Sequence, residues 1–157
     1  MPRYRRHVTD SLDPLDAFGS PRDPLDDPLL LQHSGVVRLR AARDLLLAGE
    51  AAAAVSAAKE ARSTGLPAEV VPHAHLLHGA ALLLDGRAPE AATILGDGWR
   101  AHPDFSALPA LLGVARFASG DATSAAHSMY AALVTDDPDG TLALHRTVLT
   151  RCRSLLA

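Results

Sequence analysis

The stretches "HLLHGAALLLDGRAPEAATILGDGWRAHP", residues 75–103, and "ALPALLGVARFASGDATSAAHSMYAALVTDDP", residues 107–138, are two versions of one pattern. Gly79 and Gly113 stand 34 residues apart, as do Gly86 and Gly120, and Ala91 and Ala125. Each stretch reads as an apolar helix, a glycine turn and a second helix rich in small residues. Coincidences of this kind at one spacing mark an internal repeat, in which each unit buries its apolar face only by stacking on the next.

Residue chemistry supports the paired-helix reading. Small residues let two antiparallel helices approach closely. Gly49, Gly86 and Gly120 are able to take the left-handed conformation that ends the first helix of each pair. Glu50, Glu90 and Asp121 follow, where negative charge meets the positive end of the second helix. Pro89 falls in a first turn, where its missing donor is harmless. Pro109 is tolerable if Ser106 caps its helix. An earlier, weaker unit aligns on "LLLAGEAAAAVSAAKEA", residues 45–61, with Gly49 at the turn and Ala42, Ala54, Ala58 and Ala61 at small positions.

The pattern resembles the tetratricopeptide repeat. In that family a small residue, a turn glycine, a second small residue and a late proline recur at fixed places. Here Gly79, Gly86, Ala91 and Pro103 match them in one unit, and Gly113, Gly120, Ala125 and Pro138 in the next. The resemblance implies an all-α fold, an α-solenoid of antiparallel helix pairs. Its repeats would span about 35–68, 72–105 and 106–139, all within a helical domain at 29–157. The family is a general binding scaffold, so the likeness says little about function.

The ends differ from the repeats. "GTLALHRTVLTRCRSLLA" predicts one amphipathic capping helix over 140–156, with Leu142, His145, Val148, Leu149, Cys152, Leu155 and Leu156 on one stripe. Residues 1–28 hold prolines at 2, 14, 21, 24 and 28 and read as a flexible arm. The phrase Asp-Pro-Leu occurs three times there, at 13–15, 23–25 and 27–29. Its leucines and acids complement an apolar groove with a basic entrance. A second expectation is therefore self-docking of the part from Leu25 to Leu31, with Asp26 and Asp27 approaching Arg40 and Arg43.

Composition narrows the function classes. The chain has 157 residues and a net charge of −3, so no basic excess points to nucleic acid. Apolar residues make up 48% but aromatics only 4%, which suits helices packed through Ala, Leu and Val. Arg far outnumbers Lys, as in GC-rich bacterial genomes. No apolar run is long enough for a membrane span, and the expected location is the cytoplasm. Cys152 is the only cysteine and reads as a buried small hydrophobe.

No catalytic constellation stands out, and the expectation is a protein without enzymatic activity, metal or cofactor. His73, His75 and His78 lack the spacing of a zinc-hydrolase helix and read as packing residues. Asp136, Asp137 and Asp139 read as a solvated turn, because Pro138 and a missing distal Glu argue against a calcium loop.

Paired-helix repeats usually bind on the concave face lined by their first helices. The expected surface comprises Leu39, Arg40, Arg43 and Leu46 from the first unit. His73, Leu76, Leu77 and Leu83 come from the second, and Leu111, Val114 and Phe117 from the third. The places where repeat proteins grip chaperone C-termini with Lys, Asn and Arg hold Leu39, Arg43, Leu77, Ala107 and Leu111 here, which excludes a carboxylate clamp. The expected function is non-catalytic peptide or protein binding in an apolar groove. The size and layout are similar to the small repeat chaperones of bacterial type III secretion. A structural adaptor or homo-oligomer that exchanges arms between subunits is the alternative.

Overall fold

The computed structural model describes residues 22–157. Its eight α-helices are α1 (Ser34–Leu47), α2 (Ala51–Arg62), α3 (Val71–Leu84), α4 (Ala88–Ala101), α5 (Ala107–Ala118), α6 (Ala122–Val134), α7 (Thr141–Leu144) and α8 (Arg146–Arg153). Short 3-10 turns at Pro24–Asp26, Leu30–Gln32 and Ser154–Leu156 complete the described elements, among which there is no strand. The fold of these residues is thus all-helical. Each helix packs on its successor from α1 through α6, and α3 also touches both α1 and α5. No helix among the described residues is long and apolar enough to cross a membrane.

One turn is built three times. Gly49, Gly86 and Gly120 have φ of 86°, 78° and 90°. In each case the glycine N–H and the next N–H bond back to carbonyls of the last helical turn. Gly49 donates to Leu46 at 3.1 Å and Glu50 to Leu45 at 2.9 Å; Gly86 to Leu83 and Arg87 to Leu82 match these distances. Gly120 to Phe117 and Asp121 to Arg116 follow the same scheme at 3.0 and 2.9 Å. This pair of bonds satisfies carbonyls that a helix end otherwise leaves unpaired. A Cβ at Gly86 would touch nothing within 4 Å, so only its backbone conformation opposes a side chain. Gly86→Ala should therefore cost about 1–2 kcal/mol in a urea melt, and an unchanged midpoint would contradict this turn.

Two other glycines mark close helix crossings. A Cβ at Gly79 would run into the Leu95 side chain, and one at Gly113 would meet Met129 Cγ at 2.5 Å and the Ala125 carbonyl at 3.2 Å. The pairs Gly79/Leu95 and Gly113/Met129 are related by the same spacing seen in the sequence. The core runs unbroken from Leu25 and Leu39 through Leu76, Leu77, Leu95, Leu108, Leu111 and Leu112 to Val148 and Cys152.

The C-terminal segment departs from the expected single capping helix. It breaks at His145, whose φ and ψ of −100° and 20° separate α7 from α8. The break turns α8 onto α3 and α5. At its far end Arg151 Nη1 donates to the Leu46 carbonyl of α1 at 3.4 Å. Val148, Leu149 and Cys152 are buried there, whereas Leu155, expected on the same stripe, is 48% exposed. α8 thus covers the first helices of the pairs rather than the outer side of α6.

Capping of α5 also differs from expectation. Ser106 precedes the helix but makes no side-chain cap bond, and its buried hydroxyl has no partner in the structure. Thr141 Oγ1 instead accepts the Ala107 N–H at 3.1 Å. Thr141 is held in turn by Asp137, whose Oδ1 accepts from its hydroxyl at 2.6 Å and from its N–H at 2.9 Å, while Oδ2 accepts from Leu142 N–H at 3.0 Å. Asp137 is therefore a structural cap rather than part of a merely solvated turn.

Candidate functional site

The expected inner-face residues do not form an open groove. Leu39, Leu46, Leu76, Leu77, Leu83 and Leu111 are each at most 2% exposed, Val114 is 1% exposed and His73 7%. The segment at Pro24–Asp26 packs on α1, and α8 on α3 and α5, so the chain itself covers this apolar face. Of the expected set only Arg40, Arg43 and Phe117 reach the surface. The Arg43 guanidinium is itself engaged, 2.9 Å from Asp23 and 3.1 Å from Asp26. The sequence pattern located these side chains on first helices but gave no sign that α8 would turn back over them, because that depends on the break at His145.

The three clustered histidines go to two different places. His73 Nδ1 lies 2.9 Å from His145 Nε2, one ring donating and the other accepting. Phe105 meets the His73 ring edge-on at 4.9 Å between centroids. Burial disfavours the charged form of both rings and lowers their pKa, to about 4 for His73 and about 3 for His145. His78 and His75 face Arg62 instead. Arg62 Nη1 donates to His78 Nδ1 at 2.9 Å, and His75 Nδ1 donates to the Val71 carbonyl at 3.1 Å. Burial first, then the Arg62 charge, lowers His78 to about 4. Among the described residues no three His, Cys, Asp or Glu side chains are placed to hold a metal ion.

Cys152 is fully enclosed, and burial alone pushes its thiol up to about 12. Thiolate reactivity should be suppressed accordingly. Ellman's reagent should leave the native chain unlabelled over minutes and label it once in denaturant. Prompt native labelling would contradict this burial.

Among the described residues a largely apolar cleft lies at the last helix pair. A cleft of about 420 Å³ is lined by Ala110 and Val114 of α5, Met129, Ala132 and Leu133 of α6, Leu142 of α7, and Arg153 and Leu156 at the C-terminal end. Leu133 is 80% exposed, Tyr130 65% and Val134 60%, an unusual concentration of bare apolar side chains on one helix. A shallower depression lined by Leu142, Ala143, Arg146, Leu149, Thr150 and Arg153 shares two of these residues. Arg146 and Arg153 make no salt bridge among the described residues, unlike Arg43, Arg87 and Arg100. The arrangement is an apolar floor with a basic flank and no nucleophile, general base or metal ligand set within it.

Of the sequence-predicted residues, only Val114 lines this cleft. Met129, Leu133 and Leu156 were outside the expected surface. A usable signal was present, since α6 carries large apolar residues at positions where a second helix should face solvent. No family model, curated protein or solved structure matches the chain.

Proposed function

We propose that this chain is a non-catalytic protein-binding module, a tetratricopeptide-like solenoid that receives an amphipathic helix of a partner in the cleft between α5, α6 and the C-terminal end. One observation carries the reading. α2 supports α3 and α4 supports α5, but α6 packs on α5 and meets no following helix comparably. The cleft stands where the first helix of a further pair would sit, and a partner helix completes the array. Such recognition places side chains at i, i+3, i+4 and i+7 into an apolar groove. Arg146 and Arg153 select acidic residues along the margin of that helix.

The test uses displayed random helical peptides selected on the full chain. Binders should be amphipathic and acidic. Leu133→Asp should weaken them at least about tenfold, or ~1.4 kcal/mol, and raised salt should weaken them further. Binders indifferent to both Leu133→Asp and Arg153→Glu would overturn the reading. A dimer of the free chain that Leu133→Asp dissolves would transfer the cleft to the adaptor alternative and would also overturn it.

A further inference from the structure

The Asp-Pro-Leu phrase has a seat in this fold. Asp23 Oδ1 accepts the Leu25 N–H at 2.9 Å and closes a tight turn. Its other oxygen accepts from Arg43 Nη1 at 2.9 Å. Asp26 accepts from Arg43 Nη2 at 3.1 Å and from Nη1 at 3.3 Å and lies 3.5 Å from Arg40 Nε, while Asp44 accepts from Arg43 Nε at 3.4 Å. Leu25 is completely buried in the core. The unit therefore engages the fold through a carboxylate fork on one arginine and a single apolar anchor.

The side-chain bond of this phrase exists a second time without a seat. Asp27 Oδ1 accepts the Leu29 N–H at 2.9 Å, but the backbone closes one residue later, Leu31 N–H to the Asp27 carbonyl, and Leu29 is 73% exposed. The third copy, at 13–15, lies outside the described residues. The aspartate-to-leucine bond thus forms within the phrase itself, and the Arg43 seat supplies what recognises it. The seated turn precedes α1 and is held there by the buried Leu25 and by the Asp23 and Asp26 carboxylates on Arg43, outside the paired helices themselves.

We propose that the Arg43 seat is a receptor for acidic Asp-Pro-Leu turns displayed by a partner protein, with Asp23–Leu25 as its resident competitor. The site is separate from the cleft at α6 and does not rest on it. Two charged fork contacts and one leucine define the ligand: an acid, a proline that fixes the turn, a leucine, and a second acid directly after it.

The probe is a fluorescein-labelled peptide RDPLDDPL, read by polarisation against the full chain. The double variant Asp23→Asn/Asp26→Asn, shown folded by circular dichroism, should bind it at least about tenfold more tightly than the parent. Adding Arg43→Gln should abolish that binding, and a peptide with Asn for every Asp should not compete. A folded double variant that binds no peptide, or binding unaffected by Arg43→Gln, would overturn the proposal. Should the double variant unfold, the parent chain provides the readout. Saturating peptide should speed amide hydrogen exchange at Leu25 and Asp26 severalfold, and unchanged exchange would overturn the proposal. Peptide-independent dimerisation of the double variant would show that the occupant is a second copy of this chain, and the partner reading would fall.

Discussion

Acidification from about pH 7 to about pH 4.5 should remove some 4 kcal/mol of folding stability, through the buried His73–His145 pair alone. Both rings titrate near the ordinary value of 6.5 when unfolded but at about 4 and about 3 in the fold. The unfolded chain therefore binds more protons throughout this window. Depressed native pKa values make the contribution fully present above pH 6.5 and lose it progressively as pH falls towards the native values. With two such rings the slope approaches about 2–3 kcal/mol per pH unit, a large share of the 5–15 kcal/mol typical of a small domain. Urea melts across this range measure it. His73→Gln/His145→Gln, which keeps hydrogen-bonding capacity without a titrating ring, should make the profile shallower and leave the part carried by His78, which burial and Arg62 also hold at about 4. A parent profile already flat between pH 6.5 and 4.5 would contradict the pairing, as would an equally steep one in the variant.

Gly113→Leu should cost about 1–3 kcal/mol, and Gly96→Ala should stabilise by about 0.4–1 kcal/mol. Both glycines lie within helices, so propensity alone predicts a gain at each. Their surroundings differ. A Cβ at Gly113 meets Met129 Cγ at 2.5 Å and the Ala125 carbonyl at 3.2 Å, and the carbonyl belongs to a helix that cannot yield cheaply. A Cβ at Gly96 meets nothing within 4 Å. Opposite signs in parallel thermal melts would support the tight α5–α6 crossing. A tolerated Gly113→Leu would contradict the equivalence of Gly79 and Gly113.

The helix pairs were legible because their determinants are local and repeated. Gly49, Gly86 and Gly120 need a left-handed turn wherever they stand, and Gly79 and Gly113 are read from a spacing. The placement of α8 was not legible. Its amphipathic stripe is compatible with capping α6 or with lying on α3 and α5, and the choice depends on Asp137 and Thr141 bending the chain ahead of His145. The expected inner face went with it. A groove that looked open in a helical projection is filled by Val148, Leu149, Cys152 and Leu25, while the bare apolar edge moved to Leu133 and its neighbours. Contact between Asp26 and Arg43 was anticipated from charge, whereas Asp27 turns to its own Leu29 N–H and Asp23 takes the second place on the guanidinium.

On the proposed function, a partner helix enters the cleft at α6 and not the inner face expected from the repeat pattern. Calorimetric titration of one selected helical peptide into the parent, Leu133→Asp and Arg40→Glu separates the two surfaces. Arg40 is the exposed basic residue beside the filled inner face, and Leu133 is the exposed wall of the cleft. Leu133→Asp should lose at least about tenfold in affinity, and Arg40→Glu should bind as the parent does. Loss confined to Arg40→Glu, with Leu133→Asp binding as the parent does, would contradict the proposal.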